Sequence, residues 1–139
     1  ALVWINSATD PRLGGVTTFA ALSTKAGLLR KKGDNEEADA TMATALANAS
    51  VFEMHAYGRQ LIGEKKYKEA LAVFEQNFQK NGDTWPTHVG LMRGYSAIGD
   101  VKNALKHAKI AVAQAPDDQN RNALEGMIKT LEAGKPIAQ

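Results

Sequence analysis

Two stretches of the chain match one another at a step of 34 residues, and no other feature constrains the fold as much. Gly58 falls on Met92, Arg59 on Arg93, Leu61 on Tyr95, Tyr67 on Val101, Ala70 on Ala104, Leu71 on Leu105 and Phe74 on Ala108. Within each stretch the apolar positions recur at helical spacing. The pattern predicts helices over Val51–Gly63 and Tyr67–Lys80, then over Thr84–Ile98 and Val101–Ala115. A last helix is expected over Asp118–Glu132, with Gly134 and Pro136 as stop signals.

The turns carry the chemistry that such helices need. Gly99-Asp100 supplies a residue tolerant of positive φ and then a capping carboxylate. Pro116-Asp117 closes the second unit and caps the last helix, Thr84 is an N-cap followed by Pro86 in the first turn, and Ser50 with Glu53 has the form of a capping box. Upstream, Gly33-Asp34 parallels Gly99-Asp100, with Asp34 and Glu37 as another capping arrangement. Ala38, Met42 and Ala45 parallel Ala104, Ala108 and Ala111, and Ala1, Ile5 and Ala8 have the same spacing. Ala38, Ala70 and Ala104 mark the close approach of two helices in a hairpin. Gly58 and Gly126 mark the matching point on the first helix of their units. Leu61, Phe74, Tyr95 and Leu105 are the bulky residues expected to fill the space between hairpins, since no single repeat buries its apolar face alone.

On these residues the chain resembles the tetratricopeptide repeat, a helix-turn-helix unit of about 34 residues. Gly58, Tyr67, Ala70 and Phe74 match in one unit, and Leu91, Tyr95, Gly99, Ala104, Ala111 and Pro116 in the next. The departures are Met92 for glycine, Ala108 for an aromatic and Gly82 for proline. The resemblance implies an all-α, right-handed superhelix of antiparallel helix hairpins, an α-solenoid with a C-terminal capping helix. Its expected divisions are a truncated helix over 1–9, a loop over 10–17, repeats over 18–50, 51–84 and 85–118, a cap over 119–134 and a tail over 135–139. The opening at Ala1 reads as the middle of a helix in a longer protein.

A narrower resemblance rests on Phe19–Ala38, Glu53–Ala70 and Arg93–Ala104 and extends to Ala1–Ala8. These segments are similar to the C-terminal helical region of a Bacteroidota family of unknown function, whose members carry a small β-rich domain ahead of the helices. That likeness implies a preceding β-rich domain and a periplasmic or exported location, with a cytoplasmic one as the alternative. It implies no activity.

Composition narrows the function. The 139 residues are 44% hydrophobic and 23% charged, a globular balance. Lys and Arg number 17 against 15 Asp and Glu, for a net charge of +2, which does not advertise nucleic acid. Cysteine is absent, which excludes disulfides, thiol nucleophiles and thiolate zinc sites. No apolar run approaches the roughly 20 residues of a membrane-spanning helix. His55, His88 and His107 have no i, i+4 partner of the kind that binds zinc, so no metal is expected. No Gly-x-Ser-x-Gly elbow occurs, and Gly14-Gly15 leads into Val16-Thr17-Thr18 where a phosphate loop would carry Lys-Ser/Thr. Glu36-Glu37 and Asp117-Asp118 sit at helix starts, where they favour the dipole. Lys31-Lys32 and Lys65-Lys66-Lys68 are interleaved with acids and read as solvated faces. The chain is therefore expected to be no enzyme and to need no cofactor.

The tetratricopeptide resemblance implies instead a concave groove, lined by the first helix of each unit. Carried onto this chain, the groove positions are Phe52, His55, Arg59 and Ile62, then Pro86, Val89, Arg93 and Ser96, with Ser23 and Arg30 upstream and Met127 downstream. Arg59 and Arg93 stand one repeat apart at the same position, and guanidinium groups grip carboxylates by paired hydrogen bonds. The expectation is a protein–protein interaction module in which both arginines and His55 receive an acidic peptide or chain terminus. Phe52, Ile62, Val89 and Met127 would supply apolar contact. Solvated arginines, or arginines paired with neighbouring glutamates, are the plainer alternative. A structural arm, packing on a preceding domain or on a second copy through the open N-terminal end, is the alternative role.

Overall fold

A computed structural model describes residues 18–137, so the segments read as an opening helix and loop, and Ala138 and Gln139, lie outside the described residues. Among the described residues there are seven helices and no strand. They are α1 (Phe19–Lys32), α2 (Asn35–Ala47), α3 (Val51–Gly63), α4 (Tyr67–Asn81), α5 (Trp85–Ala97), α6 (Val101–Ala113) and α7 (Asp118–Glu132). None is long and apolar enough to cross a membrane. The chain divides into two compact units between Ser50 and Val51.

In the first unit α1 and α2 pack as a hairpin around Ala26, Leu29 and Ala38, with Met42 against them. The Thr18 hydroxyl caps α1 by accepting from the Ala21 N–H at 3.1 Å. Gly33, at φ +96°, turns the chain into α2. The expected Asp34 cap is not made. Its side chain accepts no bond from the α2 N-terminus and lies 3.6 Å from Lys32 Nζ instead.

In the second unit each helix from α3 to α7 packs on the next, and α3 also packs on α5. The turn inside each hairpin is built alike. Lys66 N–H donates to the Leu61 carbonyl at 2.8 Å and Asp100 N–H to the Tyr95 carbonyl at 2.9 Å, a Schellman closure repeated one period on. In the first unit Asp34 N–H makes the same bond to Leu29 at 2.9 Å. The closure requires a residue in the left-handed region. Gly33 and Gly99 supply it, but at the corresponding place between α3 and α4 the residue is Lys65, at φ +62°.

Small residues decide how closely these helices approach. Ala70 and Ala104 are fully buried, as the repeat requires. The Phe74 ring on α4 fills the space left by three glycines. A methyl group added at Gly58 would stand 2.5 Å from the ring, at Gly90 2.6 Å and at Gly94 3.0 Å. Gly58 is thus a close-approach position, whereas Gly126 is not. A Cβ there meets nothing within 4 Å, because that face of α7 is exposed.

Several polar side chains buried in this unit tie its helices together. The fully buried Asn77 on α4 donates through Nδ2 to the Val51 carbonyl at 3.1 Å and accepts from Asn81 Nδ2 at 2.7 Å, which ties α4 to the start of α3. Thr87 fastens the start of α5: its hydroxyl accepts from the Thr84 N–H at 3.1 Å and donates to the Gly82 carbonyl at 2.7 Å. Asp100 and Asp117 cap α6 and α7, accepting from Asn103 N–H at 3.2 Å and Asn120 N–H at 2.8 Å. Beyond α7 the chain folds back. Ile137, which the sequence reading leaves in a tail, is buried with Val89, Met92, Ala108, Leu124 and Leu131. Its N–H donates to the hydroxyl of Ser96 at 2.8 Å.

Candidate functional site

Three helices of the second unit converge on a cavity of about 220 Å³. α3 contributes His55 and Arg59, one turn apart on one face. α5 contributes Trp85, Val89 and Arg93, at steps of four, and α7 contributes Asn120, Ala123, Leu124 and Met127. The lining holds two arginines and a histidine and no carboxylate. It is smaller than the roughly 300–1,000 Å³ of sites for drug-sized ligands, so it suits one side chain or one chain end.

The electrostatics follow from the crowding. Burial first, then the Arg93 and Arg59 charges, push the His55 imidazole down to about 4, against a weaker opposing effect of its bond to the Pro86 carbonyl. Arg93, half-buried, is shifted below the usual guanidinium range by burial and then by Arg59. It stays charged, since guanidinium groups do not deprotonate in proteins. Arg59 is exposed and makes no ion pair among the described residues. His55 Nδ1 and Trp85 Nε1 are buried without a hydrogen-bond partner among the described residues. The Phe74 ring packs against His55 from behind, with ring centres 5.6 Å apart.

The expected groove residues separate into groups. His55, Arg59, Val89, Arg93 and Met127 meet at this cavity. Ile62 is buried beside it and lines a second hollow of about 190 Å³ with Arg59, Gly63 and Tyr67. Tyr67 in turn borders a third hollow of about 380 Å³, with Ser96–Gly99, Pro136 and Ile137. Ser96 is therefore not an open groove residue; it is buried and engaged by the Ile137 N–H. Phe52 is 66% exposed and lines none of the three. Arg30 belongs to the first unit, where it pairs with Asp39 on α2 at 2.7 Å. Trp85, Asn120 and Leu124 escaped the sequence reading. Asn120, Leu124 and Met127 form one stripe of α7, a signal present in the spacing but assigned only at Met127.

A second polar cluster joins α5 to α6. The buried His88 directs Nε2 to the Asp83 carboxylate and Nδ1 to Nδ1 of His107, 3.0 Å away. Asp83 also accepts from Gln114 Nε2 at 3.1 Å, and the His107 ring stacks on Tyr95 with centroids 5.6 Å apart. Burial, His88 and Lys106 lower the His107 ionisation, and Asp83 opposes them. Among the described residues no group of three or more His, Asp or Glu is placed to hold a metal ion.

Comparison with protein-family models, with curated proteins and with solved structures returns no match.

Proposed function

We propose that the second unit is a tetratricopeptide-like, right-handed stack of helix hairpins that binds an acidic segment of a protein partner and has no catalytic role. The observation that carries this reading is the α3–α5–α7 cavity: two arginines in equivalent repeat positions, a histidine and a tryptophan, with no acidic residue in the lining. A carboxylate entering it would meet Arg59 and Arg93, while Trp85, Val89, Leu124 and Met127 would shield the bonds from water. The neighbouring hollow along Ile62 and Tyr67 continues the surface past Arg59 and would seat the next part of the ligand.

Trp85 reports on this directly. In a Trp4→Phe background its fluorescence is expected to change on adding a capped hexaglutamate peptide and not on adding hexalysine, with the response weakening as salt rises. Arg59→Glu together with Arg93→Glu, at unchanged helicity, should abolish it. A response that ignores the sign of the peptide, or survives the double reversal, would remove the acidic-ligand reading.

A second reading, an assembly arm, is favoured by Phe52, 66% exposed at the start of α3. Its signature is a mass by light scattering that climbs with concentration and returns to monomer in Phe52→Ser.

A further inference from the structure

His55 stands on the wall of the cavity with its hydrogen-bonding capacity half used. Its bond to the Pro86 carbonyl leaves Nδ1 buried and without a partner among the described residues, so Nε2 carries the hydrogen that Pro86 accepts. In the neutral ring Nδ1 then carries a lone pair that no described group satisfies, on a side chain that lines the cavity. An oxyanion held between Arg59 and Arg93 would also present lone pairs. Two acceptors do not bond, and the mismatch is relieved by a proton on Nδ1, which turns it into a charged donor.

The charges around the ring act in the same direction. Arg59 faces it from its own helix and Arg93 from α5; α4 contributes the uncharged Phe74 ring, and α7 contributes Asn120, Leu124 and Met127 to the shared wall. With the cavity empty, both guanidinium charges oppose a third positive charge. An anion between them cancels that opposition. We propose that His55 takes up one proton when an oxyanion enters this cavity, so that the site tightens on its ligand as the pH falls below neutrality.

The inference rests on the acidic-ligand reading above and gives that site its regulation. The proton comes from solvent and returns to it when the ligand leaves. Between the ionisation values of His55 in the bound and empty states, the association constant rises by up to about tenfold per unit fall in pH. Below about 4, where the empty site is protonated already, the rise ends.

The test uses two probes, sulfate and capped hexaglutamate, titrated calorimetrically near pH 6 in two buffers of different ionisation enthalpy. The charge of sulfate is constant through this range, so proton uptake belongs to the protein. The expected result is uptake approaching one proton per bound probe in the wild type, and weaker binding with no uptake in His55→Gln. Binding without uptake in the wild type overturns the inference and leaves the anion site standing, as does uptake that persists in His55→Gln. Failure of both probes to bind at any pH overturns the site and the inference together. Should His55→Gln not fold, the His55 Cε1 proton resonance of the wild type decides: its titration midpoint must move upward when the probe is present, and an unmoved midpoint is fatal to the proposal.

Discussion

The Nδ1 atoms of His88 and His107 lie 3.0 Å apart across the α5–α6 interface, a gap that holds one hydrogen and no more. One ring donates and the other accepts. A second proton on the pair would set two N–H groups head to head, with Lys106 and the buried surroundings adding to the cost at His107.

Acid should therefore loosen the second unit well above the range where carboxylates titrate. Both His107 and His55 ionise lower in the folded protein than the usual histidine value of about 6.5. As pH falls below that value the unfolded chain takes up protons first, so stability is full above about 6.5 and is lost as pH falls through the folded values. For His55 the window runs from about 6.5 to about 4, and the loss is of order 2 kcal/mol after allowing for its partial exposure. Urea midpoints measured across this window should decline, and His55→Gln and His107→Gln should each flatten the decline. A midpoint independent of pH from 7 to 4.5 would contradict the assignment.

Lys65 occupies, at φ +62°, the turn position held by Gly33 and Gly99 in the other two hairpins. Lys65→Gly is expected to raise stability by about 0.5–1 kcal/mol, the relief of left-handed strain exceeding the entropy that glycine adds to the unfolded chain. The reverse change, Gly99→Lys, should cost a similar amount. Thermal melts of the two variants should move in opposite directions.

Glycine to alanine should have opposite signs at two helical sites. Gly58→Ala sets a methyl group 2.5 Å from the Phe74 ring and should cost about 1–3 kcal/mol. Gly126→Ala meets open space on α7 and should gain about 0.5–1 kcal/mol through helix propensity alone. Equal melting shifts for the two would show that the Phe74 packing does not set the helix spacing.

Removing residues 136–139 should be felt across α5, α6 and α7, because Ile137 closes their shared core. Ile137→Ala is expected to cost about 2–4 kcal/mol. Ser96→Ala, which leaves the buried Ile137 N–H without its acceptor, should cost about 1–2 kcal/mol. Hydrogen exchange at Ile137 in the Ser96→Ala protein gives a second reading of the same bond.

The helices were legible in the sequence because local rules govern them. The expected span Asp118–Glu132 is the observed α7, and Val51–Gly63 is α3, both bounded by residues whose capping or turn role is intrinsic. Local rules fall short where a neighbour in space decides. Ser96 has the groove register, yet the returning chain engages it, and a single isoleucine after a proline has no period from which its burial could be read. Gly58 and Gly126 look alike in the repeat, and only the presence of Phe74 behind one of them separates the two. The same applies to the polar clusters. His88 and His107 lie on different helices, and no spacing rule joins them. Within the cavity, the shared register of Arg59 and Arg93 was visible one repeat apart, whereas Trp85 entered through the way α5 begins.

The contact of one Phe74 ring with three glycines makes their sizes interdependent. Along an evolving lineage, a smaller residue at position 74 would release positions 58 and 90 to acquire side chains, whereas position 94 is held by Leu71 as well, and a larger residue at 58 or 90 would demand a smaller one at 74. Positions 58, 74 and 90 should drift as a linked set, with single changes rare and paired changes tolerated, so that their joint variation among descendants would record the helix spacing without any structure being solved.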